Sequence, residues 1–137
     1  MIIADTSGLL AFYNEREPHH SAIRKLVEAD NDLLVVSPYV VAELDYLIAT
    51  RLGFEAELTV LRELAGGAYE LAQLDGDDVG SCADLVERYS DQNIGITDAS
   101  IVVLAKRYAT RRILTLDRRR FGVIRPLTGG RFSLIGG

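Results

Sequence analysis

Short runs of consecutive apolar residues alternate along this chain with stretches whose apolar residues recur every three or four positions, which predicts strands alternating with helices. MIIA (residues 1–4) reads as a strand, and SGLLAFYN after it as a helix that Thr6 or Ser7 can cap. NEREP is a turn, and Pro18 stands where it can open a helix over residues 19–30, with Ile23, Leu26 and Val27 inward. LLVVS (33–37) is a second strand, followed by Pro38 in the first turn of a helix over residues 38–52. A further helix covers 54–65 and stops at Gly66 and Gly67. YELAQL (69–74) is a weaker strand, and a helix over 77–89 begins with Asp77 and Asp78 at the positive end of its dipole. Thr97 is placed to cap the helix that starts at Asp98; RILTLD (112–117) is a strand and VIRPL (123–127) a short last one. The pattern predicts an α/β fold with a parallel central sheet of four to five strands covered on both faces.

No repeat, low-complexity tract or Pro/Gly-rich linker divides the 137 residues, so the expectation is one domain over 1–137. No apolar run approaches the ~20 residues needed to cross a bilayer, and MIIADTSGLL lacks the basic start of a secretory leader, so a cytoplasmic protein is expected. The single cysteine, Cys82, cannot form an internal disulfide and reads as a buried thiol. The net charge of −5 hides a polarised chain: residues 106–137 carry nine basic residues against Asp117 alone, a net of +8, which leaves −13 for residues 1–105. A solvated basic face would account for such a stretch. Arg118, Arg119 and Arg120, however, directly follow Asp117, so an acid and three phosphate-seeking guanidiniums share one loop, as suits a polyanionic substrate.

Four acids change the picture further. In open α/β sheets ligands bind beyond the carboxyl ends of the strands, where the pattern puts Asp5 and Asp117. Glu43 lies three residues after Val40 and four before Leu47, on their apolar stripe, and is expected to face inward. Asp45, about 200° further round the helix, is expected to face water. Asp98 precedes Ile101 and Val102 by three and four residues and is expected to point at the sheet. Singly, Asp5 or Asp98 could serve as a helix cap or dipole partner. Gathered together, each pair of carboxylates about 4 Å apart repels by roughly 4 kcal/mol at an effective dielectric of 20, so protonation or a bound divalent cation must neutralise them. Oxygen ligands without a Cys or His cluster suit Mg or Mn rather than zinc.

MIIADTSGLLA, PYVVAEL, GITDASIVVLAKR and RILTLDRRRF, in this order and spacing, resemble the PIN domain, specifically the VapC-type toxins of toxin-antitoxin pairs, over nearly the whole chain. The resemblance implies a three-layer α/β/α ribonuclease that hydrolyses an RNA such as tRNA, rRNA or mRNA with metal-activated water, leaving a 5′-phosphate and a 3′-hydroxyl. It matches the acidic quartet to Asp5, Glu43, Asp98 and Asp117, holding Mg or Mn, and the accompanying hydroxyl to Thr115. Thr6, Ser7, Thr97 and Thr115 are the supporting hydroxyls, and Arg118, Arg119 and Arg120 the candidates to hold the RNA backbone. A homodimer is implied, as is an antitoxin whose basic side chain occupies the acidic pocket. RRR after Asp117 is more basic than in many relatives.

Other readings fit less well. A phosphatase pattern wants a second aspartate where Ser7 stands, and a receiver-type site wants a lysine after a late strand, where none follows Thr115. A non-toxin RNA-processing nuclease of the same family, or a PIN-like module that binds RNA or protein without cutting, remains as an alternative. His19 and His20 sit at a helix entrance far from any of the four acids in sequence, and Tyr39, Tyr46 and Tyr89 fall among apolar residues as core positions.

Overall fold

The computed structural model describes residues 1–136. Its centre is a five-stranded parallel sheet of β1 (Ile2–Ala4), β2 (Leu34–Val36), β3 (Glu70–Leu71), β4 (Arg112–Leu114) and β5 (Ser133–Ile135), in the order β3-β2-β1-β4-β5. Every residue of β1 and β2 is buried. Successive strand residues point to opposite faces, so both faces are covered, as the unbroken apolar runs predicted. The cover consists of α1 (Thr6–Tyr13), α2 (His20–Ala29), α3 (Pro38–Leu52), α4 (Phe54–Ala65), α5 (Gly76–Arg88), α6 (Ile96–Arg107) and α7 (Arg118–Val123), with a 3₁₀ turn at Ser90–Gln92. α6 is the most deeply set, buried without interruption from Ala99 to Ala105.

The strand order fixes where a ligand can sit. From β1 the chain moves outward through β2 to β3, then returns to the other side of β1 to lay down β4 and β5. The direction reverses between β1 and β4, and connections leaving these two strands diverge, opening a crevice at their carboxyl ends. Asp5 follows β1 directly, and Thr115 and Asp117 follow β4.

Several local expectations are corrected. The strand over 112–117 stops at Leu114, and the missed helix α7 begins after Asp117, whose Oδ1 accepts from the Arg120 backbone N–H at 2.9 Å, an N-cap. No strand forms at 123–127; Pro126 lacks a ladder donor, and the chain turns through Gly129 and Gly130, both at positive φ, before Ser133–Ile135 pairs with β4. Helix α2 begins at His20 rather than beside Pro18, and Leu26 is 44% exposed because this helix meets the body along Ile23, with Val27 half-buried. Tyr46 is exposed, opposite the buried stripe Val40, Leu44 and Ile48. Thr97 is not a cap: α6 starts at Ile96, Gly95 holds the cap position, and the Thr97 carbonyl accepts from Ser100 Oγ at 2.6 Å. Neither Thr6 nor Ser7 caps α1, whose N-cap position is Asp5. Cys82 is buried and free, as expected.

One close approach brings α1 to the crevice. A Cβ on Gly8 would lie 2.5 Å from the Leu114 carbonyl oxygen, so only glycine lets the first turn of α1 rest on the end of β4. Gly8→Ala is expected to destabilise the fold by about 1–3 kcal/mol through overpacking. Gly80→Ala, in α5 with open space around its Cβ position, should stabilise by about 0.5–1 kcal/mol through helix propensity. Urea unfolding of the two variants measures both, and equal shifts would remove the steric account of Gly8.

Candidate active site

Asp5 is only 6% exposed, yet it is well held. Its Oδ2 accepts from Thr115 Oγ1 at 2.7 Å and from Ser7 Oγ at 2.9 Å. The two hydroxyls lie 3.2 Å apart, Ser7 Oγ accepts from the Leu116 N–H at 3.0 Å, and Thr115 Oγ1 accepts from the Asp117 N–H at 2.9 Å. This chain of hydrogen bonds ties the end of β1, the first turn of α1 and the end of β4 into one rigid corner. The Asp5 N–H adds a backbone bond to the Leu114 carbonyl at 2.9 Å.

The other three acids stand around that corner at different depths. Asp98, in the first turn of α6, has a side chain 13% exposed, and Asp117 is more open at 38%. Burial and the surrounding charges act on the protonation of Asp5 and Asp98. Burial pushes the Asp5 carboxyl up to about 6, against the pull of Thr115 and Ser7, and the charge of Asp98 raises it further. Burial also raises Asp98, opposed by Arg120 and reinforced by the charges of Asp117 and Glu43. Asp98 therefore lies within electrostatic reach of each of the other three acids.

Two helix-face expectations are reversed. Glu43 is exposed, not inward: the buried stripe of α3 runs through Val40, Leu44 and Ile48, and Glu43 falls beside it. Asp45 does not simply face water, because α4 folds back along α3 and sets Glu57 against it, raising the Glu57 carboxyl. Sequence periodicity on α3 could not register a second helix on its far side. Thr6 is buried beside Asp5, and its hydroxyl has no hydrogen-bond partner among the described residues, so Ser7 and Thr115 hold the carboxylate instead.

The arginine run divides three ways. Arg118 Nη2 donates to the Gly136 carbonyl at 2.7 Å. Arg119 is exposed and lines a polar cavity of about 390 Å³ with Asp91, Gln92, Asn93, Asp117 and Arg120. Arg120 turns inward, its Nη1 2.7 Å from Asp98 Oδ2 and its Nε 3.8 Å from Asp117 Oδ2. Elsewhere the basic segment is engaged in internal pairs, Arg107 with Asp78 and Arg112 with Asp30 and Asp32. The sequence reading missed the inward Arg120; its signal was the three-residue spacing from Asp117 at a helix start. Gln92 and Asn93 carried no signal of their place beside the acids.

Among the described residues no three Asp, Glu, His or Cys side chains close into a finished cation shell. The donor set nevertheless fits Mg or Mn: carboxylate oxygens, one of them on a buried acid whose ionised form is disfavoured by desolvation and by Asp98.

The sign of the Asp5 effect is testable without metal. A carboxyl raised from 3.8 to about 6 binds more protons folded than unfolded across that window, so folding stability falls as pH rises through it. In EDTA, Asp5→Asn should flatten this decline and exceed wild-type stability at pH 7.5 by about 1–3 kcal/mol. Urea unfolding at pH 4.5 and 7.5 checks it; parallel pH profiles for the two proteins would contradict the burial assignment.

Comparisons with known proteins accord with this geometry. Residues 2–125 match the PIN domain family. The chain is 58% identical over 134 residues to Ribonuclease VapC26 of Mycobacterium tuberculosis, spanning 98% of this chain and 99% of that protein. Its fold is similar to that of Mycobacterium tuberculosis VapC20, described as a sarcin-ricin loop cleaving toxin, with a TM-score of 0.83 at 17% identity over 92% of this chain and 100% of the other. It is also similar to DNA-bound VapBC from Salmonella typhimurium, with a TM-score of 0.68 at 19% identity over 98% of each chain. A toxin-antitoxin complex from Klebsiella pneumoniae gives a TM-score of 0.67 at 17% identity over 90% of this chain and 92% of the other. Sequence over nearly its full length and a parallel sheet with acids at its switch point agree: the chain belongs to the PIN-domain family, as a ribonuclease of the VapC type.

Proposed function

We propose that this chain, working as one catalytic unit over residues 1–137, is the toxin of a toxin-antitoxin pair, a Mg- or Mn-dependent endoribonuclease. The observation that supports the reading is Asp5, buried just after β1 and held by hydroxyls, with the charges of Asp5, Glu43 and Asp117 each within reach of Asp98. The 58% identity to a ribonuclease supports it.

Asp5 and Asp98 are assigned as the principal holders of the ion, with Glu43 and Asp117 completing its surroundings from the more open side. The ion supplies Lewis-acid activation of water and neutralises charge developing at phosphorus. Ser7 and Thr115 fix Asp5 so that one oxygen stays oriented without reorganisation at the moment of reaction. Thr6 and Thr97, expected beside them, receive no such role, since neither hydroxyl is bonded to an acid in the hydrogen bonds described above. Arg119 and Arg120, which line the cavity beside Asp117, are assigned together with Arg118 to the RNA backbone, where guanidiniums add affinity and little sequence choice.

The partners follow the same reading. The Klebsiella and Salmonella structures are of a toxin-antitoxin complex and a VapBC assembly, which supports an antitoxin partner here. Val79, Ala83 and Val86 of α5, with Ile96, border an open apolar cleft suited to cover by a second copy of the chain. No helix among the described residues is long and apolar enough to cross a membrane, and we assign the protein to the cytoplasm with its RNA.

Purified protein is expected to cleave RNA in Mg or Mn and to stop in EDTA. Asp5→Asn or Asp98→Asn should lower cleavage by more than about a hundredfold, while Asp45→Asn, on the α4 side of α3, should keep most of it. Gel assays on a structured RNA measure the rates, and wild-type rates in Asp5→Asn would remove the acids from the reaction. Growth arrest on expression, relieved by co-expression of a small neighbouring gene product, separates a toxin from a housekeeping nuclease.

A further inference from the structure

Arg120 is placed unlike its two neighbours. It leaves α7 one turn after Asp117 and reaches both Asp98 and Asp117, so the loop that supplies the fourth acid also supplies a cation to it. Within the crevice its charge offsets the repulsion that Asp117 and Glu43 exert on Asp98. A divalent ion on Asp98 and the guanidinium at its Oδ2 compete for the same carboxylate and one local charge balance. Beside the guanidinium, the cavity of about 390 Å³ shared with Arg119, Gln92 and Asn93 gives it somewhere polar to turn. The side chain is 37% exposed, so this rotation needs no rearrangement of the core.

We propose that Arg120 is a built-in counter-ion that the metal displaces, and that the displaced guanidinium then grips an RNA phosphate in the cavity beside Arg119. The planar fork of arginine suits both ends of this exchange, since it pairs with a carboxylate and with a phosphate through the same N–H groups. The inference rests on the ribonuclease reading and adds to it an order of events: Arg120 weakens metal binding in the free protein and strengthens RNA binding in the loaded one. A plain phosphate-binding arginine would do only the second.

Two titrations on the full chain separate these effects. Mn²⁺ binding in the absence of RNA is followed by the electron paramagnetic resonance of free Mn²⁺. RNA binding in Mn²⁺ is followed by stopped-flow anisotropy of a fluorescein-labelled mixed-sequence RNA oligonucleotide, before cleavage. Arg120→Gln is expected to tighten Mn²⁺ roughly fivefold, or about 1 kcal/mol, the scale of a partly exposed ion pair, and to weaken RNA by a similar factor. Arg120→Met must shift both constants the same way, which guards against a variant that misfolds. Arg119→Gln should weaken RNA and leave the Mn²⁺ constant at its wild-type value. Unchanged or weaker Mn²⁺ binding in both Arg120 variants, with wild-type Mn²⁺ binding intact and lost in Asp98→Asn, would overturn the exchange alone. Equal Mn²⁺ binding by wild type and Asp98→Asn would instead take down the metal assignment of the acids, and the exchange with it.

Discussion

The structure depends on placing negative charge where water is scarce. Asp5 must sit at the end of the central strand to face the crevice, and there the flanking elements bury it almost completely. Burial disfavours its ionised form, while the hydroxyls of Ser7 and Thr115 favour it, and the balance leaves the carboxyl well above the ordinary aspartate range. A group so balanced responds strongly to any cation brought near it. The Ser7–Asp5–Thr115 corner also joins residues more than a hundred positions apart, and it closes only because Gly8 lets α1 lie on the β4 carbonyl. Backbone packing and site chemistry are thus one constraint.

The remaining acids are graded from dry to wet. Asp98 is partly sheltered at the start of a buried helix, Asp117 is more open at the cap of α7, and Glu43 is exposed at the rim. Burial, and with it the cost of carrying charge, falls from Asp5 outward to Glu43. The sheltered position of Asp98 also accounts for its pairing with Arg120, a cation on the adjacent helix α7. The basic excess in residues 106–137 serves two ends, since Arg107 and Arg112 tie the body together while Arg119 and Arg120 border the crevice.

Much of this was legible in the chain. The continuous apolar runs of residues 2–4 and 34–36 gave buried parallel strands, and Pro38 after Ser37 marked the start of α3, with Ser37 Oγ accepting from the Tyr39 N–H. The position of acids after apolar runs pointed to the strand ends, because a parallel sheet leaves few other places for a carboxylate directly after a buried strand. What failed had physical causes. Leu26 and Tyr46 stand on helix faces that stay 44% and 67% exposed. The last strand and α7 lie in a short, basic segment where neither a period of two nor of 3.6 had room to repeat.

Local pattern by itself determined the fold class, the order of strands and helices as far as β4, and which four acids stand near strand ends or on early helix turns. It could do so because periodicity and caps act between residues a few positions apart. Only the tertiary structure decided that Asp5 is buried and Glu43 exposed, that Asp45 meets Glu57, and that Arg120 faces the acids rather than solvent. Those outcomes are set by which element folds over which, and by the field of charges that are distant in sequence and adjacent in space.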